Sequence, residues 1–250
     1  MKKDYFSTQA DAYRTFRPGY PEVLFGTLCR EIPTGATAWD CATGNGQAAV
    51  MLAEHVGRVV ASDQSARQLA HATPHDRVAY VRAYAEAMPL AGRSVDLVTV
   101  AQALHWFDFD RFYDEVRRVL KPGGLIAAWT YSFLSVTPQL GAGVDRVVRW
   151  FYHDIVGPYW PPERRWVDEQ YRTIPFPFDP VDLPCCAIDV EWDMAAVVGY
   201  IRSWSATERC AAATGSDPVR LFVDRLEKVW GEPEQTRRLR WPLGLRCGRA

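Results

Sequence analysis

From residue 37 to residue 131, short apolar runs alternate with segments whose apolar residues recur every three or four positions. The runs read ATAWD, RVVASD, VAYVRA, SVDLVTVA and GGLIAAWTY. They have the length and composition of buried strands, whereas the segments between them have helical periodicity. Because parallel strands must be joined by a crossover, this repetition predicts a parallel sheet with helices on both faces. We therefore expect an α/β fold with a Rossmann-like sheet.

The composition and periodicity of the sequence change after residue 131. Prolines and aromatic residues become frequent, which indicates an irregular cap, and regular patterning returns near residue 186. The segment RRLRWPLGLRCG alternates as a final strand would. We predict one domain over 1–250, with N-terminal helices over 1–36, a core over 37–131, a cap or substrate insertion over 132–185, and strands and helices over 186–250 that complete the sheet.

Composition excludes several function classes. The 250 residues carry a formal net charge of −1, which provides no field to attract nucleic acid or an anionic membrane. The start of the chain lacks the apolar stretch of a signal peptide, and the six cysteines form no metal-ligand spacing. We predict a cytoplasmic protein without a metal, a monomer or homodimer, that acts on a small molecule.

The stretch WDCATGNGQ lies where the first strand turns into a helix. Glycines at 44 and 46 allow a positive φ and a close approach of the backbone to a ligand. Asp40 ends the first strand and is expected to face the crevice. Asp63 ends the second strand, 19 residues after Gly44, where an acid can grip ribose hydroxyls. Together these residues predict a site for a nucleoside-containing cofactor.

The glycine turn by itself leaves alternatives open. Ala49 completes G-x-G-x-x-A, which equally suits a nicotinamide dinucleotide and an NAD(P)-dependent oxidoreductase. The long segment ahead of the turn and Asp40 argue against that alternative. A non-catalytic cofactor-binding protein would show the same glycines and acid, because these residues indicate binding and not turnover.

Five motifs in order carry a resemblance to a known family. WDCATGNGQ, ASDQS, AEAMPL, SVDLVTVAQALHWFD and FYDEVRRVLKPGGLIAAWTY resemble the class I S-adenosylmethionine-dependent methyltransferases. The similarity is greatest to the small-molecule branch that resembles trans-aconitate methyltransferases. It implies a seven-stranded, mostly parallel sheet whose last two strands, fitting CAIDVEWDM and RRLRWPLGLRCG, form an antiparallel edge. It also implies the cofactor S-adenosyl-L-methionine, the product S-adenosyl-L-homocysteine and N-terminal helices that cover the cofactor.

The resemblance assigns parts of the cofactor to particular residues. The methionine half would meet the glycine turn and Gln102, the ribose Asp63, and the adenine Gln64, Ala85 and Glu86. The predicted cofactor-binding residues are Tyr13, Arg17, Tyr20, Asp40, Ala42, Gly44, Asn45, Gly46, Asp63, Gln64, Ala85, Glu86 and Gln102.

The segment YRTFRPGYP mixes cations with aromatic residues before the first strand. Arg17 has the fork of donors that could clamp the methionine carboxylate, with Tyr13 and Tyr20 closing over the cofactor. The alternative is that Arg17 only ends an amphipathic helix before Pro18.

Methyl transfer is an in-line displacement, so the chain needs to position the acceptor and exclude water. His105 is the candidate catalytic residue, as a base or as a group that orients the acceptor, because imidazole titrates in the useful range. The alternative is a structural histidine beside aromatic rings. Large amphipathic rings suit the walls of an acceptor pocket. The predicted acceptor contacts are His105, Trp106, Trp129, Tyr131 and Trp160.

Overall fold

The computed structural model describes residues 18–132, 135–136 and 142–250. For 135–136 only the backbone is described. Tyr13 and Arg17, and with them the predicted carboxylate clamp, lie outside the described residues.

A seven-stranded sheet contains every strand of the predicted core. The strands stand in the order β3-β2-β1-β4-β5-β10-β7, with the first five parallel to one another and β10 antiparallel to both β5 and β7. This arrangement confirms the predicted fold class. The strands are β1 (Thr37–Cys41), β2 (Arg58–Asp63), β3 (Val78–Arg82), β4 (Val95–Ala101), β5 (Leu120–Thr130), β7 (Asp179–Pro180) and β10 (Gly244–Arg249).

Helices accompany the parallel strands: one precedes β1, and the others connect β1 to β2, β2 to β3 and β4 to β5. They are α1 (Glu22–Cys29), α2 (Gln47–Ala53), α3 (Ala66–Ala70), a 3₁₀ turn (Leu104–Trp106) and α4 (Phe109–Val119). The longest of these, α4, is capped at its N-terminus by Asp108, whose side chain accepts a hydrogen bond from the backbone N–H of Arg111. Its buried face carries Phe112, Tyr113 and Val116, which join the main hydrophobic core.

The described residues form two compact units. The larger comprises 19–132, 165–186 and 242–250, and the smaller comprises 18, 135–136, 142–164 and 187–241. The larger unit contains the whole seven-stranded sheet.

The smaller unit combines a short sheet with helices around an aromatic core. The sheet has the order β6-β9-β8, and Tyr200, Trp204 and Trp241 are buried in this unit. Its strands are β6 (Ser135–Val136), β8 (Ala187–Trp192) and β9 (Arg237–Pro242). Its helices are α5 (Ala142–Trp150), a π turn (Phe151–Ile155), a 3₁₀ turn (Gly157–Tyr159), α7 (Met194–Arg202), α8 (Ser205–Thr214) and α9 (Val219–Trp230), while α6 (Arg164–Asp168) lies at the boundary of the units.

The structure corrects the predicted antiparallel edge. The strand in CAIDVEWDM, β8, belongs to the small sheet and not to the main one. The segment RRLRWPLGLRCG forms two strands, of which only β10 joins the main sheet. Alternation of apolar and polar residues indicates that one face of a strand is buried, but it does not indicate which sheet the strand joins. The partner of β10 is instead β7, which is two residues long.

The predicted cap boundaries also differ from the two units. Residues 165–185 lie in the predicted cap, but their apolar side chains Val167, Tyr171 and Ile174 belong to the core of the larger unit. The hydroxyl of Tyr113 donates to the carbonyl of Pro175 at 2.5 Å, which ties the segment to α4. Burial of these large side chains explains why a proline-rich stretch packs as part of the core.

Among the described residues, no helix has the length and apolar character needed to cross a membrane.

Candidate cofactor and active site

The glycine turn after β1 uses three left-handed residues. Ala42, Gly44 and Gly46 have φ values of 54°, 59° and 84°. The positive φ predicted for both glycines is confirmed. Ala42 adopts this conformation with a Cβ, which costs roughly 1–2 kcal/mol and must be compensated by the surrounding contacts.

The two glycines of the turn have different surroundings. A Cβ at Gly46 would overlap the hydroxyl of Tyr80, which donates to the carbonyl of Thr73 at 2.7 Å. A Cβ at Gly44 would meet nothing closer than 3.9 Å. Gly46 is therefore required by the protein itself, whereas the space beside Gly44 is open to a ligand. Asn45 contributes its carbonyl, which accepts from the N–H of Thr73 at 3.0 Å.

Asp40 lies beneath the turn, fully buried. Its two carboxylate oxygens accept hydrogen bonds from the hydroxyls of Thr43 at 2.5 Å and Thr99 at 2.6 Å. Burial raises its pKa to about 6, and the nearby charge of Asp63 adds to this, while the two hydroxyl donors oppose it. The prediction that Asp40 faces the crevice is wrong, because its buried carboxylate instead braces the turn. A cofactor contact by Asp40 stays a prediction.

Asp63 ends β2 beside the same turn and is half-buried. Its carboxylate accepts from the backbone N–H of Gly44 at 2.9 Å and from that of Ser65 at 2.8 Å. Each carboxylate oxygen can accept more than one hydrogen bond, so these bonds are compatible with the predicted ribose contact. Gln64 follows at an exposed position, and its carbonyl accepts from Nε of Arg82 at 3.1 Å.

The loop that carries the predicted adenine contacts Ala85 and Glu86 is tied to α4. At one end of the helix, Oε1 of Glu86 accepts from the backbone N–H of Asp108 at 3.2 Å. Further along α4, Glu115 accepts from the N–H of Met88 at 2.7 Å.

A guanidinium completes this attachment. Arg118 donates to the carbonyls of Met88 at 2.9 Å and Leu90 at 2.7 Å, and it pairs with Glu115. Sequence analysis did not identify Glu115 and Arg118. Their spacing of three on a helix indicates an ion pair, but nothing in the sequence connects that pair to the loop that carries Ala85 and Glu86.

Gln102 follows β4 and joins it to the end of β5. Its φ is 58°, and its side-chain N–H donates to the carbonyl of Tyr131 at 3.0 Å. Its side-chain carbonyl accepts from the hydroxyl of Thr130 at 2.7 Å. The side chain is thus held in one orientation at the carboxyl edge of the sheet, the edge where ligands bind in such folds.

His105 lies in the 3₁₀ turn that follows Gln102, and it is buried. Its Nδ1 is 2.8 Å from the hydroxyl of Tyr171, and its ring centroid is 4.7 Å from that of Trp106. Trp106 is partly exposed. Sequence reasoning did not identify Tyr171, because no pattern links it to a residue 66 positions away.

Three predicted aromatic residues pack together at the end of β5. Trp129 is fully buried, with the ring of Tyr20 at 5.6 Å and that of Phe25 at 6.0 Å, both edge-on. Tyr131 is buried as well, 6.4 Å from Tyr20. In these positions the rings support the sheet edge from within, and their contacts with an acceptor or cofactor stay predictions.

Trp160 belongs to the smaller unit. Its ring lies 4.3 Å from the guanidinium of Arg164 and 5.2 Å from the ring of Tyr152. Nε of Arg164 donates to the hydroxyl of Tyr152 at 2.7 Å, which fixes the stacked arrangement. An acceptor contact by Trp160 also stays a prediction.

Metal ligands are not grouped in the part of the chain that the structure describes: no three His, Cys, Asp or Glu side chains there could hold an ion together.

Comparison with known proteins identifies the family. The profile of the family described as "Methyltransferase domain" matches residues 39–128. A Dictyostelium discoideum protein described as a methyltransferase is 31% identical over 230 residues, which cover 91% of this chain and 86% of the relative. A Mycobacterium tuberculosis methyltransferase is 38% identical over 122 residues, 48% of this chain and 49% of the relative.

A solved structure agrees over nearly the whole chain. The structure of a protein from Anaeromyxobacter dehalogenans, described as a type II methyltransferase, has a TM-score of 0.87 and 43% sequence identity, and covers 94% of this chain and 98% of the other. The match extends through both compact units. It excludes the nicotinamide-dependent alternative at the level of the family. The chain belongs to the class I S-adenosylmethionine-dependent methyltransferases.

Proposed function

We propose that the protein transfers a methyl group from S-adenosyl-L-methionine to an oxygen, nitrogen or carboxylate of a small-molecule acceptor. One observation carries the cofactor part of this proposal. The open space beside Gly44 lies next to the half-buried carboxylate of Asp63, whose oxygen accepts a hydrogen bond from the Gly44 N–H itself. A backbone without a Cβ and an acid at the neighbouring strand end suit a nucleoside that carries an amino acid.

Different residues at the sheet edge would contact different parts of the cofactor. Asp63 would accept from the ribose hydroxyls, and Ala85 and Glu86 would flank the adenine. Gln102 would border the methionine part, since its side chain is held by Thr130 and the carbonyl of Tyr131. When bound, the cofactor supplies an electrophilic methyl group on a sulfonium.

The chain contributes positioning to the transfer. Holding an acceptor about 3 Å from the methyl carbon, in line with the bond that breaks, is worth several kcal/mol without any covalent nucleophile. His105 is the candidate that orients the acceptor or removes its proton, and its ring is fixed by Tyr171. Cytoplasmic location and a monomeric or homodimeric state remain our expectations, as does a small acceptor in place of nucleic acid.

The decisive experiment compares two glycines. Gly44 and Gly123 have φ values of 59° and 75°, and a Cβ at either meets nothing closer than 3.9 Å. Gly44→Ala and Gly123→Ala therefore carry a similar backbone penalty, but only the first fills the proposed cofactor space. We expect calorimetric titration with S-adenosylhomocysteine to show at least a tenfold weaker affinity for Gly44→Ala, about 1.4 kcal/mol, and an unchanged affinity for Gly123→Ala.

Equal affinities of the two variants and the parent would contradict the proposed cofactor position. Turnover needs a separate measurement, because binding alone is also expected of a non-catalytic protein. We expect methyl transfer from labelled S-adenosylmethionine to at least one member of a panel of small carboxylic acids, amines and phenols. Binding of S-adenosylhomocysteine without transfer to any of them would favour the non-catalytic alternative.

A further inference from the structure

The loop that follows β3, residues 83–90, starts beside the proposed cofactor space. The N–H of Ala83 donates to the carbonyl of Asp63 at 3.1 Å, so the loop leaves the sheet next to the acid that borders this space. Tyr84 and Ala87 pair as an isolated antiparallel bridge. The bridge folds the loop into a tight turn, with the two predicted adenine contacts at its tip. We call residues 83–90 the cofactor loop.

The tip of the cofactor loop lies near the glycine turn. Burial raises the pKa of the Cys41 thiol at the end of β1, and the charges of Asp40, Asp63 and Glu86 raise it further. Electrostatic interactions weaken with distance, so a charge that acts on this thiol is close to it. Glu86 at the tip therefore lies close to the end of the strand from which the glycine turn starts.

Glu115 and Arg118 of α4 hold the cofactor loop by its backbone. Oε1 of Glu115 accepts from the N–H of Met88 at 2.7 Å. Nη2 of Arg118 donates to the carbonyl of Met88 at 2.9 Å, and Nη1 donates to that of Leu90 at 2.7 Å. The same guanidinium donates to both carboxylate oxygens of Glu115 at 2.7 Å. One ion pair thus binds three backbone groups of the loop.

The chemistry of the pair fixes the direction of these bonds. A guanidinium is planar and presents its donors in a rigid fork, so the two donors that bind Glu115 orient those that bind the carbonyls. The bond from Arg118 lowers the pKa of Glu115, which keeps the acid an ionised acceptor. The side chain of Arg118 is 42% exposed. Because exposed ion pairs contribute little to global stability, the effect of this pair should be concentrated on the loop.

The helix holds the loop at a second point. Oε1 of Glu86 accepts from the N–H of Asp108 at the start of α4, at 3.2 Å. Asp108 and Glu115 are about 10 Å apart along the helix axis, given the rise of an α-helix. Two attachments at this separation fix both the position and the orientation of the loop.

We propose that Glu115 and Arg118 are positioning residues that hold the cofactor loop in the geometry that accepts the adenine base. This role rests on the proposed function, because it takes the tip of the loop as the adenine contact. Each bond of the pair to the loop described above ends on a backbone group, so the pair acts through the loop and not on the ligand. Without the pair, the loop would adopt other conformations, and the apparent affinity would fall with the fraction of molecules that can bind. The loss should be confined to ligands that contain adenine.

The next arginine of α4 provides a matched control. Arg117 is 44% exposed and pairs with Asp114, three residues earlier, as Arg118 pairs with Glu115. Its Nη2 donates to the carbonyl of Pro177 at 2.7 Å. Arg117→Met and Arg118→Met therefore each remove one guanidinium, one ion pair and bonds to backbone carbonyls. Of these bonds, only those of Arg118 reach the cofactor loop.

Three ligands separate the adenine from the rest of the cofactor. S-adenosylhomocysteine contains all parts, 5′-methylthioadenosine lacks the amino acid, and S-ribosylhomocysteine lacks the adenine. Calorimetry, by displacement for the weaker ligands, measures each affinity in the parent and the two variants. We expect Arg118→Met to bind the two adenine-containing ligands about tenfold more weakly, the result of a loop that is competent in about a tenth of the molecules. Its affinity for S-ribosylhomocysteine should be unchanged, and Arg117→Met should bind all three as the parent does.

Amide hydrogen exchange measures the positioning without a ligand. The N–H of Met88 should exchange faster in Arg118→Met than in the parent, and at the parental rate in Arg117→Met. Arg118→Lys keeps the charge but not the planar fork, so its exchange rate and its affinities should lie between those of the parent and Arg118→Met.

The outcomes distinguish this role from the proposed function. A parent protein that binds none of the three ligands would remove the proposed function and the adenine role with it. If the parent binds S-adenosylhomocysteine and Arg118→Met binds it equally well, the positioning role is overturned and the proposed function stands. Equal weakening of all three ligands in Arg118→Met would also overturn the role, because it would show a general loosening of the site.

Discussion

Two turns of the larger unit contain residues with side chains in the left-handed conformation, and they are braced in different ways. The glycine turn, residues 42–46, rests on carboxylates: Asp40 lies buried beneath it, and Asp63 accepts from the Gly44 N–H. The tyrosine turn, residues 170–171, rests on neutral groups, namely the backbone at Gly244 and the buried phenol of Tyr171.

This difference determines how each turn responds to pH. A buried carboxylate can take up a proton near neutral pH, so the bracing of the glycine turn titrates. Burial raises the pKa of Tyr171 above its usual range, so the bracing of the tyrosine turn stays neutral under ordinary conditions. Of the two turns, the glycine turn is therefore the one whose bracing depends on pH, whereas the phenol that contacts His105 stays neutral.

The largest effect is expected from Gly46→Ala in the glycine turn. The new Cβ combines a positive φ of 84° with overlap of the Tyr80 ring. The two penalties together should lower the free energy of unfolding by about 3 kcal/mol or more. Urea denaturation measures this loss, with Gly123→Ala as the matched control for the backbone penalty alone, expected at about 1 kcal/mol.

A second substitution tests the cause of that loss. All three of the atoms nearest to the Gly46 Cβ belong to Tyr80. Tyr80→Val in the Gly46→Ala background should recover part of the stability, relative to Tyr80→Val alone. A loss in Gly46→Ala no larger than that in Gly123→Ala would show that the turn yields without cost.

Asp40→Asn is expected to change the pH dependence of stability. The folded pKa of Asp40 is raised from 3.8 to about 6 by burial, so the native state holds the proton more tightly than the unfolded chain does. The corresponding stability is present below the unfolded pKa and is lost as the pH rises through about 6. The amide variant does not titrate, and its unfolding free energy relative to the parent should rise by about 3 kcal/mol from about pH 4 to about pH 7.

Denaturation at several pH values measures this difference. Thr43 and Thr99 can rotate their hydroxyls to accept from an amide, so the variant should retain the fold. If the difference in unfolding free energy between variant and parent stays constant with pH, the carboxylate of Asp40 is ionised throughout this range. The two turns would then not differ in whether their bracing groups titrate.

The two turns also differ in how far the sequence could predict them. The glycine turn lies between two strand patterns, and its acids Asp40 and Asp63 stand at strand ends close by in the chain. Local spacing was therefore sufficient to predict its positive φ values and the position of β2. It was not sufficient to predict that Asp40 is buried, because the partner Thr99 lies 59 residues away on β4.

The tyrosine turn depends on contacts that no local pattern reports. Tyr171 contacts a residue 66 positions earlier and packs near a glycine of the last strand. The same limitation explains the edge of the sheet: β7 has only two residues, and β8 alternates well but pairs elsewhere. Periodicity thus predicted the five parallel strands, each of which is marked by its own local run of apolar residues, and failed where the partner of a strand is set by distant segments.

Gly244→Ala tests the bracing of the tyrosine turn. The new Cβ would overlap the backbone and Cβ of Gln170, and backbone yields less readily than a side chain. We expect a loss of about 2 kcal/mol in the free energy of unfolding and, in protein labelled with ¹⁵N-histidine, a displaced His105 signal. Gln170→Gly in the same background removes part of the overlap and should recover part of the loss. Normal stability together with an unchanged His105 signal would show that the turn is not held by β10.

The smallest effects are expected where glycine replaces a left-handed residue. Ala42→Gly and Gln170→Gly each relieve strain at φ values of 54° and 53°, but each adds entropy to the unfolded chain and removes some packing. The opposing contributions should cancel to within about 0.5 kcal/mol. Ala103 is the matched control, because its φ of −129° offers no strain to relieve, and Ala103→Gly should lose about 1 kcal/mol. The φ values at Ala42 and Gln170 are nearly equal, so the backbone penalty should be the same in both turns. Equal changes in stability for Ala42→Gly and Gln170→Gly would show that the two turns differ in their bracing groups and not in backbone strain. If Ala42→Gly instead loses as much as Ala103→Gly, the strain of the glycine turn resides in the contacts of the Ala42 side chain and not in its φ.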